Sequence, residues 1–380
     1  MIMIKRYIFL FLLLTSSGFS QDAKFDSLVT GGIMQIYNIQ FQEAEVTFRK
    51  VIADYPEHPA GRFFLAMIDW WKILLDMDTE IYDEGFYEKL EDVIYFCDDV
   101  LDRNENNVDA LFFKGGAIGF RGRLRSLRES WLKAADDGRE ALPIVQRAAK
   151  LNPNNKDVQL GFGIYNYLAA VIPDRYPILK PVMLFFPSGN KELGLRQLNE
   201  TADFGKYAKF EAIYFLMTLH YQFENDSYKA DGYADRLISL FPENPVFLRW
   251  KGRILVKKGE GEKYFEIFRK VYEGANDSLP GYNTRAKREA AYYAGLYKRN
   301  TMQPDTALVY FEECEKLSRQ LDKKEPSGFL INTVLYLGMM NDAVGNRDKA
   351  VEYYNEILRM KEYGSSHQFA RQYLETPYRY

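Results

Sequence analysis

Apolar and polar positions along this chain recur with the spacing of one helical face, broken into segments of ten to twenty residues by Gly, Asn and Pro. In "GIMQIYNIQFQEAEVTFRKVIADYP" (residues 32–56), Gly32 is followed twelve positions later by Ala44, then by Phe48 and Pro56. The same offsets return near the C-terminus, with Gly338, Gly345, Ala350, Tyr354 and Ile357. Residues 211–244 supply Tyr214, Tyr221, Ala230, Ala234, Leu237 and Pro242, and the next stretch Gly252, Gly259, Phe268 and Val271. A further stretch gives Gly295, Ala307, Phe311 and Cys314; another gives Ala141, Ala148 and Pro153, and its neighbour begins with Gly163. The pattern predicts helix pairs. A small residue on the first helix lets the second approach, a small residue on the second completes the contact, and a ring four positions later fills the space beside it. Proline then stops the second helix.

This pattern resembles the tetratricopeptide-repeat family, whose 34-residue helix–turn–helix units stack into a right-handed superhelix. The resemblance covers about residues 25–362, with the clearest units at 25–58, 211–244, 245–278, about 288–322 and 331–362. Asn341 and Lys298 stand where the family prefers Tyr, and Tyr264 where it prefers Ala. The expected fold is all-α, a right-handed superhelical solenoid of seven or eight antiparallel helix pairs. It comprises irregular long repeats over 59–203, regular repeats over 211–362 and a capping segment over 363–380.

The irregular middle holds "IPDRYPILKPVMLFFPSGNKELGLRQL" (172–198), with Pro173, Pro177, Pro181 and Pro187 around the apolar run Val182 to Phe186. The stretch from Ala110 to Gly205 resembles a group of exported bacterial tetratricopeptide proteins of no assigned activity. "LGFGIYNYLAAVIP…FFPSGNKELGLRQL" is more loosely similar to the eukaryotic tetratricopeptide-39 and inclusion-body-clearance family. Both imply architecture and carry over no catalytic residue. Residues 173–187 read as an insertion between the two helices of one repeat, the second capped by Ser188 or Asn190. The insertion is expected to be a wedge between repeats, a lip over a groove or a peripheral membrane contact.

Residues 1–20 add a targeting signal: two positive charges up to Arg6, an apolar core from Tyr7 to Leu14, and Gly18-Phe19-Ser20 as a small-x-small site. Cleavage after Ser20 would leave Gln21 as the mature N-terminus and export the chain, with the periplasm as the expected compartment. The apolar run is too short for a stable anchor, and no cysteine follows it for lipidation. Cys97 and Cys314 both lie at helix-core spacing and are expected as small buried hydrophobes, with no metal or redox pair.

Composition narrows the function. The 380 residues are 47% hydrophobic and 27% charged, as in a folded chain, and a net charge of −3 offers no general field for nucleic acid. Three histidines, His58, His220 and His367, include no i, i+4 pair for a metal. There is no G-x-S-x-G, H-E-x-x-H or phosphate-loop motif, so no catalytic residue, metal or cofactor is expected. The acidic pairs Asp98-Asp99 and Asp136-Asp137 point about 100° apart on a helix and do not share a site. Arg121, Arg125 and Arg128 fall on one helical stripe and are a candidate anion site; the alternative is a face paired with acidic neighbours. Arg123 lies off that stripe.

In the family that the pattern resembles, first helices line the concave face. The resemblance therefore implies groove positions at Phe64, Trp70, Trp71, Phe113, Phe120, Tyr167, Phe215 and Phe223, followed by Arg249, Arg253, Lys257, Tyr292 and Arg299. Such a groove would suit an extended segment with apolar anchors and a negative end, unless the long middle helices bury the rings. The family's peptide-carboxylate clamp is missing from the first repeat, where Val29 and Ile33 stand. The expected function is a non-enzymatic scaffold of the bacterial envelope holding a protein or peptide partner. Two rivals are a carbohydrate- or nutrient-binding protein, which exposed Trp70 and Trp71 would favour and buried ones weaken, and a hydrolase with carboxylates gathered from several repeats.

Overall fold

The computed structural model describes residues 16–177, 180 and 187–380, with side-chain surroundings from residue 23 onward. Among the described residues there are seventeen α-helices, one 3-10 turn and no strand. Consecutive helices pack on one another, which makes an all-α helical solenoid. The chain forms two compact units, Met1–Thr218 and Leu219–Tyr380. The first contains α1 (Ser16–Tyr37), α2 (Phe41–Asp54), α3 (Ala60–Leu75), α4 (Asp83–Arg103), α5 (Val108–Leu127), α6 (Trp131–Leu151), the turn Lys156–Val158, α7 (Gln159–Arg175) and α8 (Lys191–Phe204). Helix α9 (Lys209–Gln222) carries the boundary. The second unit continues with α10 (Ser227–Leu240), α11 (Pro245–Lys258), α12 (Gly261–Asn276), α13 (Thr284–Asn300), α14 (Pro304–Leu321), α15 (Gly328–Ala343), α16 (Arg347–Ile357) and α17 (Ser366–Glu375).

The regular pairs have the expected tetratricopeptide-like packing, and one contact carries it. A Cβ on Gly32 would lie 2.5 Å from the Phe48 ring, on Gly252 2.6 Å from Phe268, on Gly295 2.7 Å from Phe311, and on Gly338 2.5 Å from Tyr354. All four rings are fully buried, and each lies sixteen positions after its glycine. Only hydrogen leaves room for the ring at that point, so the spacing and the close approach are one feature.

Turns are built from short polar residues. Asn107, Asn190, Asp226, Asn244, Asn283 and Ser327 each accept a hydrogen bond from a backbone N–H of the helix they open. Asn190, not Ser188, therefore caps α8. Gly259 ends α11 at φ 74°, the left-handed conformation that favours glycine. Pro173 falls inside α7, which runs on to Arg175 rather than ending at Ile172, although its ring has no N–H to give the Ala169 carbonyl four residues back. The apolar run Val182 to Phe186, and Met1 to Thr15 of the targeting signal, lie outside the described residues. No helix of the described residues is long and apolar enough to cross a membrane.

Candidate binding sites

The structure places the expected site residues in three surroundings. The arginine stripe on α5 is taken up within its own unit. Arg121 reaches Glu91 at 2.7 Å and Asp137 and Glu140 at 2.8 Å. Arg125 also reaches Asp137, at 2.6 Å. Arg128 holds Asp83 at 2.6 Å and donates to the carbonyls of Met77 and Thr79. The helical stripe is present, but acids on α4 and α6 already face it, so the alternative of a paired face describes these three residues better than an open anion site.

The early aromatics are core. Phe64 is 6% exposed, Trp70 and Trp71 2%, and Tyr167 0%. Trp70 lies against Phe86 and Phe120, with ring centroids at 5.7 and 5.5 Å. Tyr167 sits under α8, where the backbone of Gly194 passes so close that a Cβ would meet the Tyr167 nitrogen at 2.6 Å. These side chains do not form an open aromatic surface, because helices α3 to α8 close over them.

What they surround instead is a chamber. Within the first unit a cavity of about 470 Å³ is lined from α1, α3, α5, α6, α7 and α9. Ile36, Phe63, Met67, Val145, Leu168 and Phe215 give it apolar walls. Its α5 wall is a glycine face, Gly115, Gly116, Gly119 and Gly122. A Cβ on Gly119 would meet nothing within 4 Å, so this glycine is not explained by close packing. Exposed Trp131, Gly119 and Gly161 mark the side where the chamber meets solvent.

Ser126, Asp157, Tyr165 and Tyr207 also line the chamber, and one charged pair stands among the lining residues. Arg123 on α5 pairs with Glu211 on α9, whose side chain is 8% exposed. The Tyr37 hydroxyl donates to the other Glu211 oxygen at 3.4 Å. Burial, reinforced by Glu211, holds the Tyr37 phenol well above its ordinary pKa. The Arg123 guanidinium also lies over the rings of Trp70, Phe215 and Phe120 at 4.7, 5.5 and 5.7 Å. Sequence reasoning passed over Arg123, Glu211 and the glycine face. The signal was there in "KGGAIGFRGR", whose glycines recur on one side of a helix.

The second unit carries a strip of cations laid on rings. The Lys257 ammonium sits 4.6 Å from the Tyr221 ring centre and donates to the Tyr221 carbonyl at 3.0 Å. Arg253 lies over Trp250 at 5.0 Å, and Arg299 over Tyr336 at 4.3 Å. Tyr292 packs edge-on to Phe329 at 5.1 Å. Phe223, half-buried, follows α9. Arg249 and Arg253 are not free charges: both bind Glu289, Arg249 at 2.7 Å. Burial alone would raise the Glu289 carboxyl, but the two guanidiniums outweigh it and hold the pKa down to about 2. Of the expected cations, Lys257 is exposed and Arg299, half-buried, donates to Asn300 at 2.9 and 3.2 Å.

The strip ends in a cavity of about 610 Å³ lined by Arg299, Asn332, Tyr336, Tyr373, Tyr378 and Tyr380, among others. Residues 376–380 enter it without helical structure. The backbone N–H of Tyr378 donates to Asp342 at 2.8 Å, and the Tyr380 hydroxyl to the Met340 sulfur at 3.3 Å. Arg347 on α16 fixes the approach by donating to the carbonyls of Tyr373 and Leu374.

Cys97 and Cys314 are free and buried, and burial pushes their thiols up to about 12 and about 11. Among the described residues no group of three His, Cys, Asp or Glu side chains is placed to hold a metal ion.

No protein-family model matches the chain. Among solved structures it is similar to PilW, a widely conserved type IV pilus biogenesis factor, at 15% identity and a TM-score of 0.40, covering 67% of this chain and 96% of that one. It is similar to the C-terminal part of a TPR repeat-containing protein from Cytophaga hutchinsonii at 14% identity and a TM-score of 0.38, covering 80% and 98%. A human IFIT1 dimer with m7Gppp-AAAA matches at 10% identity and a TM-score of 0.41, covering 93% and 88%. The chain's own helix order and glycine–ring contacts make it an all-α repeat protein built from tetratricopeptide-like helix pairs.

Proposed function

We propose that the chain is a non-catalytic binding scaffold of the bacterial cell envelope, and that its second unit holds an extended, ring-bearing segment of a partner protein. The observation that carries this reading is internal. Residues 376–380, extended and carrying Tyr378 and Tyr380, already lie against α15, with backbone and ring contacts of the kind a partner segment would make. Lys257 and Arg299 extend the same strip with positive charge, which suits acidic positions in that segment. The envelope assignment is supported by the targeting pattern of residues 1–20. The carbohydrate rival loses its main support, because Trp70 and Trp71 are buried.

The test is a paired capture from envelope extract, with wild-type bait against a Lys257→Glu, Arg299→Glu bait of equal helicity. Arg249 and Arg253 are left intact, because removing them would strand buried Glu289 and damage the fold. A partner retained by wild type and lost by the variant supports the strip. Identical partners on both baits would overturn it. Mass spectrometry of the envelope-associated chain should find Gln21 at the N-terminus; an N-terminus that retains residues 1–20 would refute cleavage there.

A further inference from the structure

We infer that the chamber of the first unit binds a single acyl chain, with the oxygen-bearing end of the ligand at Arg123. At about 470 Å³ the chamber falls within the range of roughly 300–1,000 Å³ typical of small-molecule sites, and its walls are apolar with few polar groups, as in such sites. The lining itself selects among occupants. An extended peptide would bring one N–H and one C=O per residue into walls made mostly of Ile, Leu, Val, Phe and Gly, and most of those groups would go unpaired at a cost of several kcal/mol. A helical segment pairs its own backbone, but it is about 10 Å across with about 5.4 Å per turn, so the chamber would take little more than one turn of it. An acyl chain has no polar group along its length and meets neither obstacle.

Arg123 supplies the one feature such a ligand needs at its end. A guanidinium has five N–H donors. Among the described residues Arg123 donates one hydrogen bond, to Glu211, and its other neighbours are ring faces, which accept no conventional hydrogen bond. Its side chain is 24% exposed and lines the chamber. Glu211 is engaged through both oxygens, by Arg123 and Tyr37, and so does not compete for the remaining donors. The site therefore offers an acceptor-seeking cation, already charge-balanced, at the edge of an apolar space. That fits a neutral carbonyl at the end of an alkyl chain, an ester or a protonated acid, which adds no uncompensated charge beside Glu211. Gly119 keeps the space open at the cost of helix propensity, with no neighbour whose packing would require it.

The free acid and the acyl lipid share this chemistry, and the experiment separates them. Full-length protein is titrated calorimetrically with hexadecanoate, with a single-chain hexadecanoyl lysophospholipid, and with a nine-residue leucine-rich peptide. The same titrations use Gly119→Leu and Gly161→Leu, which fill the chamber from α5 and from α7. A Cβ at 119 meets nothing and at 161 only the Val145 side chain at 3.4 Å, so both variants should fold, as melting curves will check. Saturable one-to-one binding of either amphiphile, weakened tenfold or more by at least one folded plug, is expected. Binding of hexadecanoate points to a free acid as the source, and binding of the lysophospholipid alone to a membrane lipid. No saturable binding of either amphiphile, equal binding by the plugged variants, or peptide binding with the same Gly119 dependence would overturn the inference.

Discussion

Glu289 shows how much of the second unit depends on single residues. It is 2% exposed and lies between Arg249 and Arg253. Glu289→Gln leaves two guanidiniums half-buried around a neutral amide, and losing one partner of a buried pair costs about 3–5 kcal/mol. Thermal melting should show a loss of that order. The pH dependence carries a sign. The folded pKa, about 2, lies below the ordinary 4.5, so the native state binds the proton less well than the unfolded chain. The stabilisation is complete above pH 4.5 and is lost as pH falls towards 2. Acid titration of stability should show this component in wild type and not in Glu289→Gln. The small residues make a second contrast. Gly252→Ala drives a Cβ into the Phe268 ring at 2.6 Å and should cost about 1–3 kcal/mol, the usual range for overpacking. Gly232, inside α10, has nothing within 4 Å, and Gly232→Ala should stabilise by about 0.5–1 kcal/mol. If both substitutions shift the melting temperature alike, the ring contact is not what sets the repeat's spacing.

Among the elements, the junction ahead of α9 depends on a side chain that no repeat pattern marks. Asp157, 5% exposed in the 3-10 turn after α6, accepts the backbone N–H groups of Lys206, Tyr207 and Ala208 at 2.8 to 3.0 Å through one oxygen. It thereby ties the start of α9 to the turn before α7, and α9 carries Glu211 and Phe215 into the chamber. Asp157→Ala leaves one buried and two part-buried amides without that acceptor and should cost about 1–3 kcal/mol, the range for a stranded buried group. Asp157→Asn keeps an oxygen in place and should lose about 1 kcal/mol. Equal melting temperatures for the two variants would show that the amides find other partners. This contact spans about fifty residues of sequence, so it is invisible to reasoning from local periodicity. The glycine–ring pairs act within one hairpin and were legible, as was Asn190 as a cap. The helix before the 173–187 segment was expected to end at Ile172, but α7 runs on to Arg175.

For the molecule as a whole, the repeat was readable and the surfaces were not. Helix pairs follow from local spacing, but whether a first-helix residue is open or covered depends on the length of its neighbours. Helices α4 and α5 cover Trp70 and α8 covers Tyr167, leaving a chamber where a groove was expected, while the regular helices after α9 leave Lys257 exposed and Arg299 half-buried. The same logic governs how damage spreads. In a solenoid, stability is a sum of repeat and nearest-neighbour terms, so a lesion loosens its own contacts before distant ones. Within the second unit, Glu289→Gln removes the link between α11 and α13. Native-state hydrogen exchange should then accelerate in α11, α13 and the helices packed on them, α12 and α14. Amides of α16 and α17, which pack on α15 and on each other, should keep protection close to wild type. Uniform acceleration across the unit would instead mean that it opens as one cooperative block, and that the neighbour-by-neighbour description fails for this chain.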